Sequence, residues 1–242
     1  MNQVIMLEVT FDFNNAVNTI YPVILKDQQE MILIDCGYPH FLPLIQRAAE
    51  AKGMDLGKLT KIVITHHDFD HMGALAECKS AYPNLEIISS GGEEKYISGK
   101  EKSLRLQQAE ALYDSLPESE KAAAENFQEL LRSITPVAVD LRVKDHELLP
   151  WCGGTEIIAT PGHMPGHISL YVKACKTLIA GDALVIENDE LGMANPQYTL
   201  DMAEAKNSIR KLLTYEIEKI ICYHGGIFTG NCQASLQKMF GK

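Results

Sequence analysis

The stretch Thr65-His66-His67-Asp68-Phe69-Asp70-His71-Met72-Gly73 places five His or Asp side chains within nine residues. Imidazole and carboxylate are the donors that hold hard-to-borderline divalent cations. His66 and Asp68 are two apart, so on an extended backbone they point the same way, whereas Asp70 and the adjacent His71 need a turn to converge. One short loop can thereby serve two neighbouring ions, although an isolated cluster of this kind reads equally well as a solvated loop. Recurrence separates the two readings. Thr160-Pro161-Gly162-His163-Met164-Pro165-Gly166-His167, Gly181-Asp182 and His224-Gly225-Gly226 each follow a short apolar run with strand character. The glycines beside them let backbone approach closely. His66, Asp68, Asp70, His71, His163, Asp182 and His224 then form a candidate set of seven ligands. That is enough for two divalent ions with one bridging carboxylate and open positions for water.

Other polar residues near these segments have less determined roles. Asp35, at the end of the run Met31-Ile32-Leu33-Ile34, is either a polar cap or a carboxylate that orients a metal-bound histidine. His67 points away from His66 and Asp68 on an extended strand, so it orients a ligand or packs. His167 lies beyond the loop of His163 and reads as a hydrogen-bonding partner rather than a ligand. Tyr198, in the loop after Asp182, either reaches a developing oxyanion or packs. His40 and His146 have no neighbours that suggest chemistry and read as surface residues.

The elements that must position these residues are short. Val4 to Thr10, Ile20 to Lys26 and Met31 to Ile34 suggest an antiparallel start to a sheet, with a break at Asn14-Asn15. A helix is predicted over Phe41 to Lys52, stopped by Gly53. Strands at Lys61 to Ile64 and Leu85 to Ile88 flank the His/Asp loop and a helix beginning at Ala74. Residues 93–135 change character: Glu, Lys, Leu, Ala and Gln dominate, and Pro117 divides two helical stretches. Leu104, Gln108, Ala111 and Leu112 form one predicted apolar face, and Phe127, Leu130, Leu131 and Ile134 another. This is read as a helical insertion into the scaffold, either a lid on a substrate pocket, a solvated decoration or a dimer interface. Strands are expected again at 137–139, 147–149, 156–159, 169–172, 177–180 and 219–223. Helices are expected at Asp201 to Thr214, with Thr199 as N-cap, and at Ala234 to Phe240. Each half runs sheet then helices. The predicted class is α/β, an αββα sandwich in a single domain over 1–242: two mixed sheets face to face, helices outside, metal site at one edge.

Composition sets limits on partners. Thirty-two acidic against 22 basic residues leave a net charge of −10 with no Lys/Arg run. Such a surface repels a phosphate backbone, so nucleic acid is an unfavourable partner. The six cysteines are scattered without a C-x-x-C pair, which suits reduced, packed thiols. The first residues lack a basic region and a long apolar run, and no segment approaches membrane-spanning length. The expectation is a cytoplasmic protein with a small-molecule substrate and no membrane partner, with a homodimer left open.

In their order, His66-x-Asp68-x-Asp70-His71, the T-P-G-H-x-P-G-H around His163, the Asp182 after Gly181 and the His224-Gly pair resemble the metallo-β-lactamase superfamily of hydrolases. Each element alone is weak; the ordered combination is specific and spans the chain from its first strands to its last helix. The resemblance implies that His66, Asp68 and His163 hold one ion, that Asp70, His71 and His224 hold a second, and that Asp182 bridges them. Zinc is the first expectation, with manganese or iron as competitors. The implied activity is metal-dependent hydrolysis of an ester-type bond (lactone, ester or thioester) by metal-activated water, with Asp70 also taking a proton as the intermediate collapses. No Gly-x-Ser-x-Gly nucleophile motif competes. The few residues after His224 leave no room for the helical substrate domain of glyoxalase II-type enzymes, which favours a lactonase or general esterase. The departure is Asp68, where the family more often has His. An added ionised carboxylate lowers the positive charge of the cluster, weakens it as a Lewis acid and favours harder metals. A carboxylate at that position also occurs in di-iron redox members, so a di-iron redox or oxygen-binding protein is the alternative.

Overall fold

The computed structural model describes residues 2–13 and 16–240; the break expected at Asn14-Asn15 lies outside them. The chain opens with β1 (Gln3–Met6), a hairpin of β2 (Val9–Phe13) and β3 (Ala16–Ile20), then β4 (Val23–Lys26) and β5 (Met31–Ile34). Helix α1 (Leu42–Ala51) leads to β6 (Lys61–Val63), α2 (Phe69–Met72), α3 (Leu75–Ala81) and β7 (Glu86–Ser90). Three helices follow, α4 (Gly91–Ile97), α5 (Leu104–Tyr113) and α6 (Glu118–Ser133), before β8 (Leu141–Val143). The second half contains β9 (Leu148–Leu149), β10 (Thr155–Ala159), β11 (Ile168–Val172), β12 (Thr177–Gly181) and the hairpin β13 (Val185–Glu187) and β14 (Glu190–Gly192). It ends with α7 (Met202–Leu212), β15 (Lys219–Cys222), β16 (Gly226–Phe228) and α8 (Cys232–Lys238).

Two mixed sheets result, ordered β1-β4-β5-β6-β7-β8 and β16-β15-β12-β11-β10-β9. Strands β5 to β8 run parallel, as do β12 and β15; the remaining neighbours are antiparallel. The reason their sequences are continuously apolar is visible in β5. Ile32 and Ile34 face the inter-sheet core with Ile157, Leu170 and Ile179, while Met31 and Leu33 face outward onto Ile45 and Leu75 of α1 and α3. Both faces of the strand are buried, so alternation between apolar and polar disappears. On the far side, Ile158, Leu178 and Ile220 pack under Ile209 and Leu212 of α7 and Leu236 of α8. This is the αββα sandwich. Truncating Leu33, which is fully buried, to Ala is expected to cost about 2–5 kcal/mol.

Helix α1 ends as its sequence predicts. Gly53 takes φ +71°, its N–H reaches Glu50 O at 2.8 Å, and Met54 N–H reaches Ala49 O at 2.9 Å. That pair of bonds satisfies carbonyls the last turn would leave open, and the left-handed residue it requires is cheapest as glycine.

Three local expectations are corrected. Residues 137–139 form no strand: Val137 N–H bonds the carbonyl of Ile97 at 3.0 Å, and sheet pairing begins at Leu141 opposite Ile88. The N-cap of α7 is Asp201, whose Oδ1 accepts from the N–H groups of Ala203 and Glu204, both at 2.9 Å. Thr199 instead donates its hydroxyl to Asn195 O at 3.1 Å within the preceding turn. Finally, α5 buries Arg105 and Leu106, while Leu112, expected inward, is 60 % exposed. The first turn of α5 covers polar groups, so hydrophobic periodicity pointed to the wrong face.

Candidate metal centre

The candidate ligands arrive from the carboxyl ends of three strands and from one loop. Beyond β6, Asp35 Oδ1 takes the Thr65 N–H at 2.8 Å and Ile64 N–H pairs with Ile88 O at 2.9 Å, and the chain then bends at Thr65 and His66 rather than staying extended. Asp68, at φ −69° and ψ 147°, then caps α2, and its carbonyl accepts from the N–H groups of His71 and Met72 at 3.0 Å. His66, in the bend, and Asp68, extended before α2, still come within 3.6 Å of each other, and the turn of α2 brings Asp70 and His71 round beside them. The loop between β10 and β11 supplies His163, the end of β12 supplies Asp182, and the end of β15 supplies His224.

These seven side chains meet. Asp68 Oδ2 lies 3.1 Å from His163 Nε2 and 3.6 Å from His66 Nε2. Asp70 Oδ2 lies 3.2 Å from His224 Nε2 and 3.7 Å from His71 Nε2. Asp182 stands between the two groups, with Oδ2 at 3.7 Å from His163 and 3.5 Å from His224, and Oδ1 at 3.3 Å from His71. Three sets have donor atoms close enough to share an ion: His66/Asp68/His163, His66/His71/Asp182 and Asp70/His71/His224.

The donor set fits divalent metal on grounds internal to the chain. Among the described residues, Nε2 of His66, Nε2 of His71, Nδ1 of His163 and Oδ1 of Asp182 are buried without a hydrogen-bond partner, a costly arrangement unless something else satisfies them. Their neighbours fix the imidazoles in the form a metal needs. Thr65 donates its hydroxyl to Asp35 Oδ2 at 2.8 Å, so at 3.1 Å from His66 it is placed to accept the Nδ1 proton. His71 Nδ1 lies 2.9 Å from the same carboxylate oxygen. Each Nδ1 therefore has an acceptor for its proton, which leaves Nε2 as the atom facing the cluster and available to an ion once it is unprotonated. Asp35 thus bonds both Thr65 and His71, and does so at φ +58°.

The charges set one another's titration. Burial would push Asp68 and Asp182 up, but the surrounding groups outweigh it. The His163 imidazole at 3.1 Å, the neighbouring His66 and the charge of Arg105 hold Asp68 well below the carboxylate range; His224 and His71 do the same for Asp182. Burial would likewise draw the histidines down. Asp182 and Asp70 nevertheless raise His71 well above its usual value and His224 to about 10, whereas His66, more deeply dominated by burial and by His71, stays low.

The residues around the ligands are as specifically placed. His167 touches no candidate ion position through a free nitrogen: Nε2 accepts the Asp182 N–H at 3.0 Å and Nδ1 lies 2.8 Å from Thr160 Oγ1. His67 bonds Glu93 through its N–H at 2.9 Å and through Nδ1, stacks on Tyr96, and accepts the Leu104 N–H on Nε2 at 3.2 Å. Tyr198 is 52 % exposed, and its contribution here is its carbonyl, which accepts from Arg105 Nη2 at 2.9 Å. His40 is exposed; His146 bonds Glu156 at 3.1 Å, remote from the cluster.

Three neighbours of the cluster escaped sequence reasoning. Arg105 of α5, only 7 % exposed, grips both oxygens of Asp68, Nε to Oδ1 at 3.1 Å and Nη2 to Oδ2 at 2.6 Å. Glu93 of α4 is fully buried and joins His67 to the Gly166 N–H at 2.8 Å, linking two ligand loops. Its only sequence signal was Ser90-x-x-Glu93, a capping-box spacing, of which Ser90 makes its half by accepting the Glu93 N–H at 3.2 Å. Tyr223 packs its ring on His71 and donates its hydroxyl to Asp70 O at 2.6 Å. A cleft of ≈ 390 Å³ opens between the motif loop and α4 to α6, lined by His67, Phe69, Met72, Tyr96, Leu106 and Leu131 among others but by none of the seven candidate ligands.

A four-layer sandwich with His and Asp converging at strand ends is the architecture of one class of metalloproteins, and the chain belongs to it. The family model of the metallo-beta-lactamase superfamily matches residues 18–224. The chain is 28% identical over 233 residues to a protein of Bacillus subtilis (strain 168) named probable metallo-hydrolase YflN, covering 88% of this chain and 82% of that one. It is 30% identical over 164 residues to hydroxyacylglutathione hydrolase GloC of Haemophilus influenzae, covering 67% of this chain and 65% of the relative. Among solved structures, a metallo-beta-lactamase family protein from Thermus thermophilus shares the fold with a TM-score of 0.74 at 18% identity, over 97% of this chain and 77% of that one. Among the described residues, no helix is long and apolar enough to cross a membrane.

Proposed function

We propose that this protein is a hydrolase that uses two divalent metal ions to cleave an ester-type bond, lactone, ester or thioester, in a small molecule. The observation that carries the reading is the convergence of seven donor side chains in which, among the described residues, three imidazole nitrogens and one carboxylate oxygen are buried without a partner. His66, Asp68 and His163 would hold one ion, Asp70, His71 and His224 the other, with Asp182 between them. Ions bound there supply Lewis acidity toward the carbonyl and a water ionised near neutral pH. The chain's own residues do the rest. Asp35 and Thr65 keep the His66 and His71 lone pairs aimed inward, and His167 fixes the backbone of Asp182. Asp70 has some solvent access at its side chain and is the group placed to carry a proton to the leaving atom. The similarity to a hydroxyacylglutathione hydrolase supports thioesters as the first substrates to try. A cytoplasmic setting, a small-molecule partner and zinc, ahead of manganese or iron, belong to the same proposal.

The test is elemental analysis of protein purified without added metal, paired with a panel of lactones, esters and thioesters. Two divalent ions per chain and turnover of at least one bond class are expected. Asp182→Ala is expected to lose most of the activity and the two-ion stoichiometry. Two iron atoms, a visible absorption band and no hydrolysis would favour the di-iron redox alternative and sink this reading.

A further inference from the structure

Asp68 replaces a neutral ligand by a charged one, and the structure places a permanent cation against it. Arg105 approaches from α5 with a side-on fork: Nε to Oδ1 at 3.1 Å, Nη2 to Oδ2 at 2.6 Å. The same Oδ2 faces His163 Nε2 at 3.1 Å and His66 Nε2 at 3.6 Å, so one carboxylate oxygen is shared between the guanidinium and the ligand cluster. Arg105 is itself immobilised. Its Nη2 also donates to Tyr198 O at 2.9 Å and its Nη1 to Gln108 Oε1 at 3.0 Å.

We infer that Arg105 is a positioning residue that converts Asp68 into a formally neutral third ligand of the first metal site, so that Asp68 and Arg105 together stand where a histidine would. The inference rests on the proposed metal-dependent reading of the site. Charge counting supports it. Asp70 and Asp182 alone give the donor set −2; Asp68 makes it −3; Arg105, which does not deprotonate in proteins, returns it to −2. The alternative use of a buried arginine, a clamp for a substrate carboxylate, is disfavoured by its bonding. Four of its five N–H groups are engaged within the chain, and a two-pronged clamp needs two free. The neutral pair also requires α5 in place, which makes the helical segment part of the metal site rather than only a cover over it.

A double-mutant cycle decides the matter: Asp68→His, Arg105→Gln and the combined variant, with wild type. The readouts are zinc and manganese stoichiometry, affinity by competition with a chromophoric chelator, and melting of the chelator-treated chains. Asp68→His alone leaves a guanidinium beside the cations without its carboxylate and is expected to bind zinc at the first site at least about tenfold more weakly. Asp68→His with Arg105→Gln is expected to return to within about threefold of wild type, because the neutral ligand no longer faces an unpaired charge. Equal affinity in wild type and Asp68→His, or a combined variant as weak as Asp68→His, would overturn the inference. A merely structural ion pair would lower melting of the metal-free chains and leave affinity additive, which also overturns it. If Asp68→His fails to fold, a combined variant that folds and binds two ions supports the inference, and one that does not overturns it. Wild type without metal would remove the underlying reading itself, and the inference with it; two ions in wild type with an additive cycle removes only the inference.

Discussion

Nε2 of His167 accepts the backbone N–H of Asp182 at 3.0 Å, which forces the imidazole proton onto Nδ1, 2.8 Å from Thr160 Oγ1. Thr160 in turn lies 2.9 Å from Ser169 Oγ, whose hydroxyl donates to Ala180 O at 2.9 Å. The directions are mutually consistent along the chain, and it ends on the strand that carries Asp182. His167→Ala is therefore expected to reduce divalent-metal affinity by about 10- to 100-fold without removing any ligand. Chelator competition measures this; unchanged affinity would show that β12 holds Asp182 unaided.

The same histidine predicts an acid limb. Burial, reinforced by the charge of His163, draws His167 down to about 3. A group whose folded pKa lies below its unfolded value contributes stability above the unfolded value, near 6.5, and loses it as pH falls toward the folded one. The metal-free chain should therefore lose stability between pH 6.5 and about 3, with this residue contributing up to about 1.4 kcal/mol per pH unit. Denaturant midpoints measured from pH 7 to pH 4 should fall less steeply in His167→Gln than in the parent chain. Parallel slopes would exclude His167 as the source.

Metal uptake should expel protons. In the metal-free chain burial opposes charge on His71 and His224, yet Asp182 and Asp70 raise both, His224 to about 10. His224 is then protonated at pH 7.5, His71 is shifted the same way, and a protonated ring must lose that proton to bind an ion. Calorimetric titration in buffers of differing ionisation enthalpy should report net proton release, with about one proton fewer in His224→Gln.

Asp35 accepts from Thr65 through both oxygens and from His71 through Oδ2. Asn tolerates the left-handed backbone at φ +58° but cannot supply the charge. Asp35→Asn is expected to keep the fold, by circular dichroism and melting, while lowering metal affinity about 10-fold or more. Native affinity in that variant would reduce Asp35 to a cap.

Gly162 sits at φ +134° where a Cβ would lie 2.3 Å from the backbone nitrogen of Ala205, in the first turn of α7. Its carbonyl also receives the Asp201 N–H at 2.9 Å, and His163 O receives that of Leu200 at 3.2 Å. Gly162→Ala must push α7 from the loop that carries His163. A loss of about 2 kcal/mol or more in unfolding free energy is expected, with weaker binding at the first metal site.

What the sequence determined by itself is the set of strand ends. A buried strand must be apolar on both faces, so a sudden His, Asp or Gly after Ile64, Ala159, Ala180 or Tyr223 is conspicuous without any coordinates. The αββα layering and the meeting of His66, Asp68, Asp70, His71, His163, Asp182 and His224 follow from that pattern. Asp35 was legible only as one of two roles, because choosing between them needs the distance to His71. The tertiary structure alone decided what surrounds the ligands. Arg105 is 37 residues from Asp68 and Glu93 is 26 from His67, and both lie on helices whose surfaces carry ordinary charged residues. A helix that covers a polar site buries polar groups, so the apolar periodicity of α5 was misleading there. The charge of Asp68, read in isolation as a weakening of the cluster, acquires its counterion only when the fold brings α5 over the loop.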